Sequence, residues 1–252
     1  MACLSAAIFS GCWWGGADGV PFYYSKKDKQ QQLADLEHYG PFAFQRIETI
    51  KKMGEYAAKS PQLEKEKVAA KLASNIQTEQ DPLVRMVIIR ELGRIPTEIS
   101  SSVLTAGIKD PDPEVRMEVC TAWGKRVHQS LAKGGGIPPG PTEDSAVRVL
   151  AGALASDTNF DVRMFAARAL GEVPRDPRAI AALGIALKGS TDPAMTYNVV
   201  TSLKSVSGKD FGSDVKQWQQ FADSFIPQAI VPPTGLGQQA PSAIASRPSR
   251  TN

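Results

Sequence analysis

Asp112-Pro113-Glu114-Val115-Arg116 and Asn159-Phe160-Asp161-Val162-Arg163 are two copies of one pattern, and reading them together decides the fold. Asp-Pro is a helix start: the carboxylate caps the free amides of the first turn, and proline brings a preset φ with no amide to leave unpaired. Asp81-Pro82-Leu83-Val84-Arg85 and Asp192-Pro193-Ala194-Met195-Thr196 fall into the same register. Behind each start runs a one-sided apolar stripe. In the third copy it is Val162, Phe165, Ala166, Ala169, Leu170 and Val173. In the first it is Val84, Val87, Ile88, Leu92 and Ile95, interrupted by Glu91. Val115, Val119, Ala122 and Trp123 follow in the second, and Met195, Val199, Leu203 and Val206 in the fourth. Steps of three and four are helical, not the alternation of a strand. Four copies in register make a repeat.

Working outward, each of these helices is preceded by another amphipathic one, at about 62–76, 98–108, 143–155 and 177–187. The arginine register falls at 85, 116, 163 and 196, with Thr196 at the last, so the steps are 31, 47 and 33 residues. The long step holds an insertion over 133–142, three glycines followed by a proline-rich run, which reads as non-helical. Helices at about 45–58 and 213–225 lie outside the pairs and are expected to cap the two ends, with Trp218 anchoring the second.

This pattern resembles the HEAT-repeat family, including its bacterial branch: Asp-Pro-x-Val-Arg, an Ala/Leu stripe, then Leu-Gly as in Leu92-Gly93 and Ala169-Leu170-Gly171. The resemblance covers 43–226. It implies an all-α fold, a right-handed α-solenoid of about four HEAT-like helix pairs with a capping helix at each end. In that family an acid in the turn and an arginine six residues later form a ladder between neighbouring repeats. Here Glu79/Arg85, Asp110/Arg116 and Asp157/Arg163 match, whereas the fourth copy has Ser190 and Thr196. Three successive arginines also suggest an anion groove, but matched carboxylates at constant spacing favour a structural role.

Composition narrows the function. Apolar residues make 42% of 252 and charged ones 22%, near the average of soluble globular chains. A formal charge of +3, with both signs interspersed, does not point to nucleic acid. Cys3, Cys12 and Cys120 form no Cys-x-x-Cys, and His38 and His128 lie far apart, so neither a disulfide framework nor a metal site is expected. The triple glycine at 134–136 lacks the Gly-Lys-Ser/Thr ending of a phosphate loop. Some proteins of similar repeats do carry chemistry, among them phycobilin lyases, DNA glycosylases and an iron-dependent hydroxylase with His-Glu pairs. No His-Glu pair occurs here.

The first residues carry a different signal. Phe9-Ser10-Gly11-Cys12 ends a short apolar stretch and resembles the lipobox of bacterial lipoproteins, in which the cysteine is acylated. Phe9 replaces the usual aliphatic residue, and no positive n-region precedes it. The chain thus divides into a signal segment at 1–12, a tether at 13–42, the solenoid at 43–226 and a Pro/Gln/Ser-rich tail at 227–252. The expected function is a non-enzymatic scaffold for a protein or peptide partner, without cofactor or catalytic residues. Acylation of Cys12 would hold it at the envelope membrane, facing the periplasm; without acylation the chain would be cytoplasmic. The alternative is a HEAT-like lyase or ligand-binding protein, with nucleic-acid binding behind both.

Overall fold

The helix starts are capped as their chemistry requires. Asp81 accepts from the Leu83 amide at 2.9 Å, Asp112 from Glu114 at 2.8 Å, Asn159 from Val162 at 3.0 Å and Asp192 from Met195 at 2.9 Å. In this computed structural model residues 41–132 and 141–226 are described, and they form ten helices with no strand among them. These are α1 (Ala43–Lys59), α2 (Gln62–Thr78), α3 (Pro82–Arg94), α4 (Glu98–Gly107) and α5 (Pro113–Ala132). They continue as α6 (Pro141–Ser156), α7 (Phe160–Gly171), α8 (Pro177–Gly189), α9 (Pro193–Ser207) and α10 (Val215–Asp223). The chain divides into two compact units, Met1–Ile50 and Lys51–Asn252. Of the first, the described part is the entry into α1, where the Arg46 guanidinium donates to the Pro41 carbonyl at 2.5 Å.

In the second unit the helices lie in two rows. The first-helix row runs α2, α4, α6, α8 and α10, each packed on the next. The second-helix row runs α3, α5, α7 and α9. Four pairs result, α2/α3, α4/α5, α6/α7 and α8/α9, an all-α solenoid of HEAT-like pairs. At the end of the first row α10 packs on α8, and Gly54, which belongs to the second unit, sits against the Glu91 side chain of α3. The core lies between the rows and includes Leu72, Ile88, Leu104, Trp123, Leu150, Leu170 and Leu183, all fully buried. Trp218 anchors α10, with its ring edge-on to Phe211 at 4.7 Å and its indole N–H donating to the Gly212 carbonyl at 3.1 Å.

One boundary differs from the sequence reading. Pro141 and Thr142 form the first turn of α6 instead of closing a non-helical insertion. Proline at the first helical position loses no hydrogen bond, so the helix extends back to it. Residues 133–140, the signal segment with Cys12, the tether as far as residue 40, and the tail fall outside the described residues.

Candidate functional site

The matched acids and arginines meet across repeats. Arg85 donates through Nε and Nη2 to both carboxylate oxygens of Asp110, at 2.9 and 2.8 Å. Arg116 does the same to Asp157, at 2.8 and 2.9 Å. The third guanidinium donor, Nη1, turns back to its own repeat: Arg85 to the Gln80 carbonyl at 2.9 Å, Arg116 to Asp110 at 2.8 Å, Arg163 to Asp157 at 2.8 Å. Each acid also accepts the amide two residues on, which fixes the turn: Glu79 from Asp81, Asp110 from Asp112 and Asp157 from Asn159, all at 2.9 Å. Planar bidentate pairing of this kind is the strong form of the ion pair. Burial pushes the Asp157 carboxyl up, but the Arg116 hydrogen bond, the Asn159 amide and the nearby arginines together hold it below the usual range. The Arg116 guanidinium is held more firmly protonated by Asp157. Arg163 differs. Among the described residues no carboxylate lies within ion-pair distance of it, because Ser190 stands where the next acid would be.

Arg46 was missed in the sequence, although it has the same register. Counting back from Gly54 as from Gly93 places Arg46 where Arg85 stands, and both back-bond to the carbonyl five residues earlier. Gly40 stands where the turn acid would be and Phe42-Ala43 where Asp-Pro would be, so the usual signal was lost. Arg126 was missed as well. It stands at the register of Ile95, Val173 and Val206, all buried aliphatics, and is itself only 4% exposed. Burial lowers its pKa to about 10. Its guanidinium donates to the Ile95 carbonyl at the end of α3 and to Ser101 Oγ at 3.1 Å, and lies 5.8 Å from the Trp123 ring centre. A cation at a helix C-terminus is favourably placed, so this arginine ties α5 to the preceding repeat.

A surface candidate lies on the exposed face of the second row. Positions five, nine and thirteen residues past each cap share that face: Met86, Arg90 and Arg94; Met117, Thr121 and Lys125; Met164, Arg168 and Glu172; Tyr197, Thr201 and Ser205. The methionines are half-buried and Tyr197 is 76% exposed. Arg90 is held bidentately by Glu118 at 3.0 and 2.8 Å. Between α5 and α7 a groove of about 520 Å³ opens, floored by Gly124 and Ala169 and walled by Thr121, Lys125, Phe165 and Arg168. It is narrow at its base because a Cβ on Gly124 would already touch Ala169 Cβ at 3.3 Å. Arg168 lies over the Phe165 ring, 5.7 Å from its centre, and neither it nor Lys125 meets a carboxylate among the described residues. At one end His128 Nδ1 faces Glu172 Oε2 at 3.6 Å.

Cys120 lies sealed in the second row, and burial pushes its thiol up to about 12. A thiol so rarely ionised is a poor nucleophile. In the folded chain Cys120 is therefore expected to resist iodoacetamide at pH 8, and to alkylate only after unfolding. Peptide mass mapping with and without guanidinium chloride checks this, and modification of Cys120 in the native chain would contradict it. Among the described residues no three His, Cys, Asp or Glu side chains are grouped to hold a metal ion. No helix among them is long and apolar enough to cross a membrane.

A family model of HEAT repeats matches residues 69–133, which run from α2 through α5. No curated protein matches the chain.

Proposed function

From the premise that this chain is a HEAT-repeat protein, we propose that it is a non-enzymatic scaffold that binds a protein or peptide partner on the exposed face of its second row. HEAT repeats commonly serve protein–protein interaction, and stacked pairs present extended surfaces suited to it. The groove between α5 and α7 is the observation that carries the reading. It combines an apolar floor, an aromatic wall and two cations without carboxylate partners among the described residues. The methionine register beside it supplies soft side chains that adapt to a partner's contour. Cys12, acylated, would tether this surface to a bacterial envelope membrane. Several acyl chains anchor firmly, because each buried CH₂ contributes about 0.8 kcal/mol.

The test uses a partner identified by crosslinking in the native host and its affinity measured by calorimetry. Phe165→Ala and Lys125→Glu are expected to weaken binding about tenfold each, whereas Lys71→Glu on the first row changes it less than about twofold. Loss of binding with Lys71→Glu alone would place the partner on the other row. For the anchor, the intact mass of the native protein should show cleavage before Cys12 plus acyl chains, both absent in Cys12→Ala. An unprocessed chain of unmodified mass would remove the tether from this reading.

A further inference from the structure

We infer that the groove between α6 and α8, on the first row, is a second binding site, and that Arg163 there grips an Asp or Glu side chain of a partner polypeptide flanked by apolar residues.

The ladder supplies the argument. Three arginines occupy one register and make the same back-bond through Nη1. In two of them the remaining donors, Nε and Nη2, close on a carboxylate. In Arg163 those two donors have no acceptor among the described residues, since Ser190 replaces the acid and turns its hydroxyl to the Asp192 carbonyl at 3.2 Å. The guanidinium is held in place nonetheless. Asp157 and Thr158 carbonyls accept Nη1 at 2.8 and 3.3 Å, and the Phe160 ring centre lies 5.5 Å from Cζ. A fork fixed from behind and open in front is preorganised for a planar carboxylate.

The space in front of it differs from its counterpart one repeat earlier. There a groove of about 530 Å³ contains Arg116 with Asp157 already in its fork, and Lys109 and Arg148 on its walls. The groove holding Arg163 is larger, about 690 Å³, and its walls are apolar: Leu154, Phe160, Ala182, Ile185 and Ala186. Ile185 is 55% exposed, and a side chain at Gly189 would meet nothing within 4 Å. The acid lining this groove, Asp192, is turned to the Met195 amide at 2.9 Å as the cap of α9. One cation with two aligned donors, surrounded by apolar wall, selects a carboxylate carried between apolar side chains. The two neighbouring forks take aspartate side chains rather than a chain terminus, and the same chemistry is assigned here. This site lies on the opposite row from the groove of the proposed function, so either reading can fail without the other.

The test is a titration of the full ¹⁵N-labelled chain with acetyl-Leu-Asp-Leu-amide, following the Arg163 Nε–H signal and the amides of Ala182 and Ile185. A Kd on the order of 1 mM is expected, and the Asn counterpart of the peptide should bind at least about tenfold more weakly. Ser190→Asp places the missing acid in the turn, so it should raise the melting temperature by about 3 °C while abolishing the peptide shifts. Arg163→Lys keeps the charge but loses the fork, and should also bind at least about tenfold more weakly. Absence of shifts in the wild-type chain, equal binding of the Asn peptide, or full binding by Ser190→Asp would each overturn the assignment. So would tighter binding of acetyl-Leu-Leu with a free C-terminus, which would make a chain terminus the true occupant.

Discussion

Asp157→Ala is expected to lower folding stability by about 3 kcal/mol, the scale of removing one partner from a largely buried ion pair. Arg116 and Asp157 are 12% and 8% exposed in their side chains, and Asp157 receives both donors of the Arg116 fork. The substitution strips Arg116 of its carboxylate and leaves the Asn159 amide without its acceptor. For a solenoid of this length the loss corresponds to roughly 9 °C in Tm. Arg116→Ala should cost a similar amount, and the double variant little more, because the two residues act as a unit. The effect should vanish in acid. The Asp157 carboxyl titrates below its ordinary value in the folded chain, so the unfolded chain binds the extra proton. The stabilisation is then complete above the ordinary aspartate value of 3.8 and is lost as pH falls through the folded value. Wild type and Asp157→Ala should differ fully at pH 6 and converge towards pH 2. A gap that persists at pH 2, measured by urea unfolding, would show that the charge pair is not its source.

The fold was legible because its signals are local. Asp81, Asp112 and Asp192 each cap a helix within their own five-residue segment, and Asn159 does so with Phe160 in place of proline. The apolar stripes needed only the helical period to be read. What joins one repeat to the next was less visible, since it depends on residues brought together over long separations. Arg85 and Asp110 are 25 residues apart, Arg116 and Asp157 41, and the insertion at 133–142 hides their equivalence. The family resemblance implied a ladder between neighbouring repeats, but that each arginine reaches the acid of the following repeat is seen only in the structure. The open groove between α5 and α7 joins Lys125 to Phe165 and Arg168, which no motif connects. Arg126 was illegible for another reason. An arginine at an apolar register reads as surface until the end of α3 is seen to receive it. Ser190 was noticed as a departure and ascribed to a terminal repeat. The structure gives the departure a consequence, because α9 follows and Arg163 is left without its acid.

The spacing of the second row should be equally intolerant of added volume at Gly93. The Leu-Gly ending of the repeat marks the point where neighbouring helices touch. A Cβ on Gly93 would lie 2.8 Å from Ala122 Cβ and 3.3 Å from its Cα; at the same register Gly124 meets Ala169 and Gly171 meets Ser202. These contacts are backbone-anchored on both sides, so no rotamer change relieves them. Gly93→Ala gains about 1 kcal/mol of helix propensity, but forcing α3 and α5 apart costs about 1–3 kcal/mol, and the net change should be destabilising. Gly93→Leu cannot be accommodated without separating α3 from α5, and a loss of about 3 kcal/mol or more is expected. Ala122→Gly removes the facing methyl and should restore most of the stability of Gly93→Ala, although it is destabilising alone. Compensation of this kind requires that the two residues touch, so thermal melts of the four-member cycle decide the matter. Additive effects would mean that the rows are not held at this distance by Gly93. A restored double variant would identify the small residue as the spacer that sets the packing of α3 on α5, and with it the placement of every side chain on the second-row face.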